Sequence, residues 1–492
     1  MAILGAMITF SSILGKNIVL HANMLSVGIG RVSFVILLLA LSTPGVVIFT
    51  ANSAHASATA EEIDRLGKDL TPLGAERAGN ADGTIPKWTG GITAPPPGLG
   101  YQVDGPHLDP FADDQVITTI TKENYSNEEF ASLLSVGQKA MFDYIPDFRM
   151  PLYPTRRSCG YDQIVYDAIK YNAAAGELEA DGYGVNGARL ASPFPIPKSG
   201  LELLWNHTLR FRGFKIRAFG VGATPTRSGS YTLIKSRVDA VLDYSRPGLA
   251  RAEDVNNNVS IYVILNTLSP ARFAGNVLLV HETINLKARQ RQVWLYNPGQ
   301  RRVRRAPNVA YDFPQVNSDG LATTDQTDMF NGAPDRFEWK MLGKQEMYIP
   351  YNAYKLASSD LEYSDIIKAG TINPDHMRYE RHRVWGLQGV RKEGVRHLYR
   401  QRDLYIDEDS WNIVVGDHYD DRGEIWRVQL GPILNFYEVP LCAQSANISH
   451  DLLAGRYSLG GLRNQEKAID WKVDNLGYQH FTPDAIRRMG IR

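Results

Sequence analysis

The sequence predicts a mainly β protein of the α+β class, built on one large curved antiparallel sheet. We expect an open half-barrel of about 11–13 strands, with helices on its concave side and an irregular arm before it. Apolar runs recur between Gly- or Asp-rich turns, and the intervals are too short for the crossover helices of a parallel sheet. In one run Val293 and Leu295 alternate with Trp294 and Tyr296, so both faces of this strand are apolar. Either helices cover both faces, or one face lines an apolar cavity.

Residues 1–56 have the order of a secretory signal peptide, which is basic, then apolar, then cleavable. Arg31 precedes the apolar run Val32–Ala51, and Ala54–Ala56 offers a cleavage site with small residues. Met24 would give a start of conventional length. We therefore predict export to the periplasm. The alternative is an inner-membrane anchor formed by the uncleaved apolar run, which is long enough to span a bilayer.

Two segments precede the predicted sheet. Residues 57–125 are rich in Gly and Pro and form the irregular N-terminal arm. Residues 126–206 form a helical segment that packs on the sheet. In this segment a capping-box pattern at Ser126 opens a helix that continues to Tyr144. A second helix covers Tyr161–Ala175.

The half-barrel itself is assigned to residues 207–440, followed by a C-terminal extension over 441–492, and residues 57–492 are expected to form one structural domain. Turn residues punctuate the apolar runs at intervals of about 8–15 residues. The predicted strands are Leu209–Ala218, Tyr231–Leu242, Ser260–Leu268, Gly275–Ile284, Gln292–Tyr296, Arg302–Ala306, Arg336–Tyr348, Glu380–Arg391, Val395–Tyr405, Trp411–Tyr419, Glu424–Leu430 and Ile433–Tyr437.

Charge and cysteine content narrow the possible partners. The formal net charge is zero, and without a basic patch we predict no nucleic-acid partner. The arginine-rich run Arg301–Arg305 is interpreted as a solvated hairpin tip or strand edge. Cys159 and Cys442 are the two cysteines. They could pair in an oxidising compartment, but the sequence leaves their proximity open.

Motifs typical of enzymes are incomplete in this chain. Ser458 lacks the first glycine of a nucleophile elbow, and Gly220–Pro225 lacks the third glycine of a dinucleotide fingerprint. His281 and Glu282 are neighbours in a strand, so their side chains point to opposite faces and do not share a metal easily. We therefore predict a non-enzymatic protein with no catalytic residues, no metal and no cofactor.

Two acidic loops have a structural explanation. The first loop contains four aspartates whose spacing differs from that of a calcium-binding loop. We interpret them as aspartates that cap turns, and they are Asp319, Asp325, Asp328 and Asp335. Asp407–Ser410 is predicted to be a hairpin turn.

Long motifs in the chain resemble a bacterial family, the domain of unknown function 1329. They cover residues 78–91, 150–157, 293–307, 331–336 and 405–411. The likeness extends over essentially the whole mature chain. That family is similar in turn to the periplasmic lipoprotein carrier and receptor of the Lol pathway. The resemblance implies an open half-barrel whose helices plug the concave side and which binds acyl chains there. It supplies no catalytic residues.

Aromatic residues recur across the predicted sheet and are the candidate ligand-binding residues. They either fill the core or line a lipid-sized pocket. The candidates are Trp294, Tyr296, Trp339, Trp385, Tyr399, Trp411 and Trp426.

The predicted function is a periplasmic carrier that binds a lipid or another hydrophobic small molecule and helps its transfer within the cell envelope. Envelope transporters or outer-membrane proteins are the expected partners. The alternatives are an envelope lipid or ester hydrolase and a non-catalytic structural scaffold.

Overall fold

The computed structural model describes residues 58–306 and 311–490. The predicted signal peptide over residues 1–56 lies outside these ranges. Within them, no helix combines the length and the apolar composition needed to cross a membrane.

Seven α-helices lie in the described ranges, and they are short compared with the sheet. They are α1 Ala60–Asp64, α2 Glu128–Ala131, α3 Val136–Tyr144, α4 Gln163–Ala175, α5 Gly200–Thr208, α6 Tyr363–Ile366 and α7 Pro483–Gly490. The helix predicted from Ser126 to Tyr144 is instead two helices. Ser135 interrupts it because its side chain caps α3 in a capping box with Gln138. The prediction over Tyr161–Ala175 is confirmed by α4.

The same ranges contain nineteen strands. The first ten are β1 Thr118–Ile120, β2 Met150–Leu152, β3 Glu177–Leu178, β4 Val185–Asn186, β5 Lys215–Ala223, β6 Ile234–Leu242, β7 Val259–Ser269, β8 Val277–Thr283, β9 Gln292–Asn297 and β10 Arg302–Arg305. The others are β11 Phe337–Pro350, β12 Tyr379–Arg391, β13 Gln401–Asp407, β14 Ile413–Tyr419, β15 Ile425–Leu430, β16 Ile433–Phe436, β17 Leu441–Gln444, β18 Asn447–Asp451 and β19 Arg456–Leu462.

Fifteen strands form one open sheet in the order β1-β2-β12-β13-β14-β15-β18-β19-β5-β6-β7-β8-β9-β10, with β11 paired to β12. Almost all neighbours are antiparallel, and a single residue pair joins β2 to β12 in parallel. The predicted fold class, a mainly β protein with a large sheet that does not close into a barrel, is confirmed. The sheet has more strands than the 11–13 expected, because β1, β2, β18 and β19 also belong to it.

Several boundaries differ from the prediction. β5 begins at Lys215 rather than Leu209, because Leu209 is the C-cap of α5. β16 pairs only with β17, in a separate two-stranded sheet. The boundary predicted at residue 440 falls before β18 and β19. These two strands connect β15 to β5 and so join the halves of the sheet.

Helices cover both faces of the sheet rather than one. The side chains of α3 pack on the face that carries Asp417, whose carboxylate accepts hydrogen bonds from Ser135 Oγ at 3.0 Å and Gly137 N–H at 2.8 Å. We call this the α3 face. Strand alternation places Tyr296, which contacts α7, on the same face. The opposite face, on which α5 packs against β11 and β12, is the α5 face. Both faces are apolar, as the alternation in β9 predicts.

Candidate ligand-binding site

The strands β6 to β9 carry apolar side chains on both faces, but the two faces are covered differently. On the α3 face a buried cluster contains Ile264, Leu279 and Tyr296. The cluster also contains Phe481 and Ile486 from the C-terminal residues. A second layer of chain therefore packs on this face and completes a core.

On the α5 face the same strands form two smaller apolar clusters, whose members Leu242, Val280 and Val293 are buried. One contains Ala240, Leu242 and Ile261, with Ile216 and Val263 packed against them. The other joins the first through Val263, and its remaining members are Val280, Val293, Leu278 and Ala306. Among the described residues, every member of both clusters lies on β5 to β9 or directly after β10. We call this surface the apolar strip.

A cavity of about 350 Å³ opens at one end of the apolar strip, where α5 approaches β7 and β8. We call it the α5 cavity. Its apolar wall includes Leu204, Trp205 and Ile261. Its other wall is polar. The polar lining residues are Asp181, Tyr183, Thr208, Ser260, Glu282, Thr283, Lys287, Gln290, Arg291, Tyr311, Asn331 and Asp335.

An ion pair lies on the β8 side of the α5 cavity. Arg291 Nη2 is 2.8 Å from Glu282 Oε1, and the two side chains are only 9% and 13% exposed. Asn331 Nδ2 donates to the same carboxylate at 3.0 Å. Burial raises the pKa of Glu282, while Arg291 and Asn331 act in the opposite direction. The charge of Arg291 is thus already balanced within the protein.

A second polar pair, Tyr311 and Asp335, also lines the α5 cavity. The Tyr311 hydroxyl donates to Asp335 Oδ2 at 2.8 Å, and the Arg336 guanidinium lies 3.6 Å from the centre of the Tyr311 ring. Burial, reinforced by the Asp335 charge, raises the pKa of Tyr311 to about 12. This hydroxyl is therefore a hydrogen-bond donor at neutral pH.

A smaller cavity of about 200 Å³ lies at the other end of the apolar strip. Residues 315–318 pass over it, and Val238 and Leu265 are in its wall. Ile261, Val263 and Leu265 are alternate residues of β7 and share one face, and Ile261 lines the first cavity while Leu265 lines the second. Four residues of strand span about 13 Å. The two cavities are therefore linked by one row of apolar side chains.

The family model described as "Protein of unknown function (DUF1329)" matches residues 119–487. The chain belongs to the DUF1329 family. The chain is also 44% identical to an uncharacterized protein of Pseudomonas aeruginosa over 448 residues, which are 90% of this chain and 96% of that protein. The resemblance found in the sequence is thus confirmed.

Three solved structures resemble parts of this DUF1329 protein. A DUF1329 family protein from Desulfovibrio piger has a TM-score of 0.41 at 12% identity, over 58% of this chain and 97% of its own. A putative outer membrane lipoprotein-sorting protein domain from Vibrio parahaemolyticus has a TM-score of 0.40 at 11% identity, and the match covers 58% of this chain and 97% of that domain. A LolA superfamily protein from Nitrosomonas europaea has a TM-score of 0.35 at 12% identity, and the match covers 58% of this chain and 99% of that protein.

The aromatic residues predicted to bind a ligand lie elsewhere in this DUF1329 protein. Trp294 and Tyr296 face the C-terminal residues on the α3 face, and His281 packs edge-on against Trp294 at 4.8 Å between ring centres. Trp339 Nε1 donates to the Pro334 carbonyl at 2.9 Å. None of the seven candidates is among the residues that line the two cavities, and their role in binding stays a prediction.

The remaining four candidates are distributed over the β11 to β15 half of the sheet. Trp385 lies under the Lys344 ammonium, 4.9 Å from the ring centre. Trp411 is 1% exposed, and its Nε1 donates to the Leu73 carbonyl at 3.2 Å. Tyr399 and Trp426 are in ring contact, with centres 5.8 Å apart.

The acidic loops in this DUF1329 protein are more than turns. Asp325 pairs with Arg402 at 2.5 Å, and Asp328 pairs with Arg210 at 2.6 Å. Burial raises the pKa of Asp325, but the Arg402 and His397 side chains outweigh burial and hold it well below its usual range. The prediction that these aspartates cap turns is therefore wrong for these two residues, which are buried ion-pair partners.

The predicted turn Asp407–Ser410 does connect β13 and β14, but it is buried. Its Asp407 and Asp409 offer oxygen atoms that lie, with a nitrogen of His382, within 4.8 Å of one another. Arg157 donates to both carboxylate oxygens of Asp409, at 2.7 and 2.8 Å. A guanidinium thus neutralises the carboxylate that a metal ion would need.

Sequence reasoning missed the polar residues of the α5 cavity. Glu282 was considered only beside His281, and Asp335 only as a loop residue. The alternation in β9 indicated that both faces of the sheet are apolar, but it did not indicate which face borders the α5 cavity. Which loop lies near that face depends on contacts between distant parts of the chain.

Proposed function

We propose that this DUF1329 protein is a periplasmic carrier. It binds a lipid or another hydrophobic ligand non-covalently along the apolar strip and helps to move it within the cell envelope. The observation that supports this most directly is the contrast between the two faces of β6 to β9. One face packs against Phe481 and Ile486, whereas the clusters on the other contain residues of the sheet and Ala306 alone.

The energetics favour an acyl chain as the occupant of the strip. Burying one methylene stabilises a complex by about 0.8 kcal/mol, so eight contribute roughly 6 kcal/mol. This is comparable with the lower range of association costs, about 4 kcal/mol. A row of apolar side chains such as Ile261, Val263 and Leu265 therefore supplies enough contact without a covalent bond or a cofactor.

The periplasmic location has two supports. Cys159 and Cys442 form a disulfide, and disulfides persist mainly in oxidising compartments such as the periplasm. The order of residues 1–56 is that of an export signal. A carrier in this compartment would exchange its ligand with envelope transporters or outer-membrane proteins.

The first test is the lipid content and lipid affinity of protein purified from the periplasm. Mass spectrometry of an organic extract should detect a co-purified hydrophobic molecule, and the delipidated protein should bind a fluorescent fatty acid. Leu265→Asn, in the row of β7 side chains that continues the strip into the smaller cavity, should weaken this binding at least about tenfold. Leu268→Asn is the matched control, because Leu268 lies on the same strand with 36% exposure and outside the strip.

Two outcomes would contradict the carrier. If the protein neither carries a lipid nor binds the fluorescent fatty acid, the scaffold alternative is favoured. If it releases fatty acid from ester substrates, and one Ser or His substitution abolishes that release, the hydrolase alternative is favoured. Equal binding by Leu265→Asn and Leu268→Asn would place the ligand away from the strip.

A further inference from the structure

A broad groove on the α3 face is lined by basic side chains. It lies where β5, β6 and β7 meet the C-terminal residues, and its volume is about 690 Å³. Four of its lining residues are basic and none is acidic, and the basic ones are Arg217, Arg237, His480 and Arg488. We call it the basic groove. The formal net charge of the whole chain is zero, so this concentration of positive charge is local.

The strand register places two of the arginines on the α3 face. Asp239 of β6 lies opposite Ile264 of β7, which belongs to the buried cluster on that face. Arg217 of β5 is the other cross-strand partner of Asp239 and therefore shares its face. Arg237 shares it too, because it is two residues from Asp239 in the same strand.

The C-terminal residues bring the other two basic side chains to the groove. Phe481 and Ile486 pack in the buried cluster on the α3 face, and the Phe481 carbonyl accepts a hydrogen bond from His281 Nε2 at 2.9 Å. His480 directly precedes Phe481, and Arg488 follows Ile486 within α7. The apolar contacts of this segment therefore fix its basic side chains beside β5 and β6.

One buried carboxylate holds three of the four basic groups. Asp239 is fully buried. Its oxygens lie 2.6 Å from Arg217 Nε, 3.0 Å from His480 Nε2 and 3.4 Å from Arg237 Nη2. Burial raises the pKa of Asp239, but hydrogen bonds from His480 and Arg217 outweigh burial and lower it. The three basic side chains are 23–27% exposed, so part of each remains open to solvent.

The charges around the basic groove do not balance. Three arginines face one carboxylate, so two positive charges remain even when His480 is neutral. Arg488 is exposed and has no ion-pair partner within residues 58–306 and 311–490. Positive charges held close together repel one another, and a bound anion would remove this repulsion.

The size of the excess charge indicates the class of anion. Guanidinium groups bind carboxylates and phosphates through paired N–H donors. A phosphate monoester carries a charge of about −1.5 to −2 at pH 7, which matches the two uncompensated charges. A carboxylate or a phosphate diester carries a single negative charge and leaves one arginine uncompensated.

We infer that the basic groove binds a phosphate monoester, carried either by a small soluble molecule or by a lipid head group. Arg237 and Arg488 contact the phosphate, and Asp239 is a positioning residue that orients Arg217 and His480. The groove lies on the face opposite the apolar strip, so this site goes beyond the proposed carrier function and does not depend on it.

The test compares monoesters with diesters in soluble and in lipid form, at constant ionic strength. Glycerol 3-phosphate and dimethyl phosphate are the soluble pair, and their binding to the full-length protein is measured by titration calorimetry. Phosphatidylcholine vesicles that contain phosphatidic acid or phosphatidylglycerol are the lipid pair, and their binding is measured by co-sedimentation. We expect a monoester to bind at least about tenfold more tightly than its matching diester. The pair that shows this preference identifies the source of the phosphate.

Arg237→Gln should weaken binding of that monoester about tenfold or more, because a charge-assisted hydrogen bond is lost. The fold should persist, since Arg217 still neutralises Asp239 at 2.6 Å. Arg237→Lys keeps the charge and should retain part of the affinity. Arg422→Gln is the matched control, because Arg422 is 73% exposed in the turn between β14 and β15, and it should bind like the natural protein.

Arg488→Gln removes a groove arginine that does not contact Asp239. It should weaken monoester binding by a similar factor without changing the thermal midpoint of the free protein, because Arg488 is exposed. Equal affinities for monoester and diester in both forms, or no binding of either, would overturn the inference. Equal binding by Arg237→Gln and Arg422→Gln would place the anion elsewhere and would also overturn it. None of these results affects fatty-acid binding, which tests the carrier separately.

Discussion

Cys159 and Cys442 are joined by a disulfide across 283 positions of the chain. Cys159 follows β2, Cys442 lies in β17, and the Tyr351 hydroxyl contacts Cys159 Sγ at 2.9 Å. A crosslink between such distant residues restricts the unfolded chain. We therefore expect Cys159→Ala/Cys442→Ala to lower the free energy of unfolding by about 2–5 kcal/mol. Denaturant unfolding with and without a reductant measures this. The reductant should destabilise the natural protein and leave the double variant unaffected.

Two adjacent leucines of β8 test the contrast between the two sheet faces. Leu279 is fully buried on the α3 face in the cluster with Phe481, whereas Leu278 is partly exposed on the α5 face. Leu279→Ala should lower the free energy of unfolding by about 2–5 kcal/mol, and Leu278→Ala by clearly less, because the Leu278 side chain is only partly buried. Equal losses in delipidated protein would mean that the apolar strip is covered as fully as the other face.

Arg157 tests the buried charge network near the turn Asp407–Ser410. Its side chain is 2% exposed and lies 2.7 Å from Asp409 Oδ1. Arg157→Met leaves that carboxylate buried without its partner, which should lower the free energy of unfolding by about 3–5 kcal/mol. Arg65→Met is the control, because Arg65 and Asp69 form an exposed pair whose loss should not be measurable. A mild effect at Arg157 would show that the acidic turn is stable without the guanidinium.

Asp417 should make stability depend on pH. Burial raises its pKa to about 7, so between pH of about 4 and 7 the folded protein holds a proton that the unfolded chain has released. Stability therefore falls as pH rises through this window, by up to ~1.4 kcal/mol per pH unit for one group. Asp417→Asn removes this contribution, so its stability relative to the natural protein should increase from pH 5 to pH 8.

Urea unfolding at several pH values measures the effect of Asp417→Asn. Burial also raises the pKa of Asp407 to about 7, so a slope of the same sign should remain in the variant. Asp474→Asn, at an exposed aspartate, should follow the natural protein at every pH. Parallel curves for the natural protein and Asp417→Asn would mean that Asp417 is ionised in the folded state.

Much of the fold could be predicted because it depends on local patterns. The alternation of Val293 and Leu295 with Trp294 and Tyr296 predicted a strand and showed which residues share each of its faces. Successive side chains of a strand point to opposite sides of the sheet. The helix α4 was predicted to end before Gly176, which is its C-cap. By contrast, the capping pattern at Ser126 is not used: α2 begins after Asn127, which forms no side-chain cap, and Ser135 caps α3, which packs on β14 and β15.

The sequence by itself determined that this chain is mainly β, with apolar residues on both faces of a large antiparallel sheet. These are properties of neighbouring residues. The tertiary structure decided which residues pack on the α3 face, because Phe481 and Ile486 reach it from far along the chain. It also decided that Cys159 meets Cys442, and that Thr283, Arg291 and Asp335 surround one cavity. These contacts join residues that are far apart in sequence, so they depend on the path of the whole chain and no local pattern encodes them.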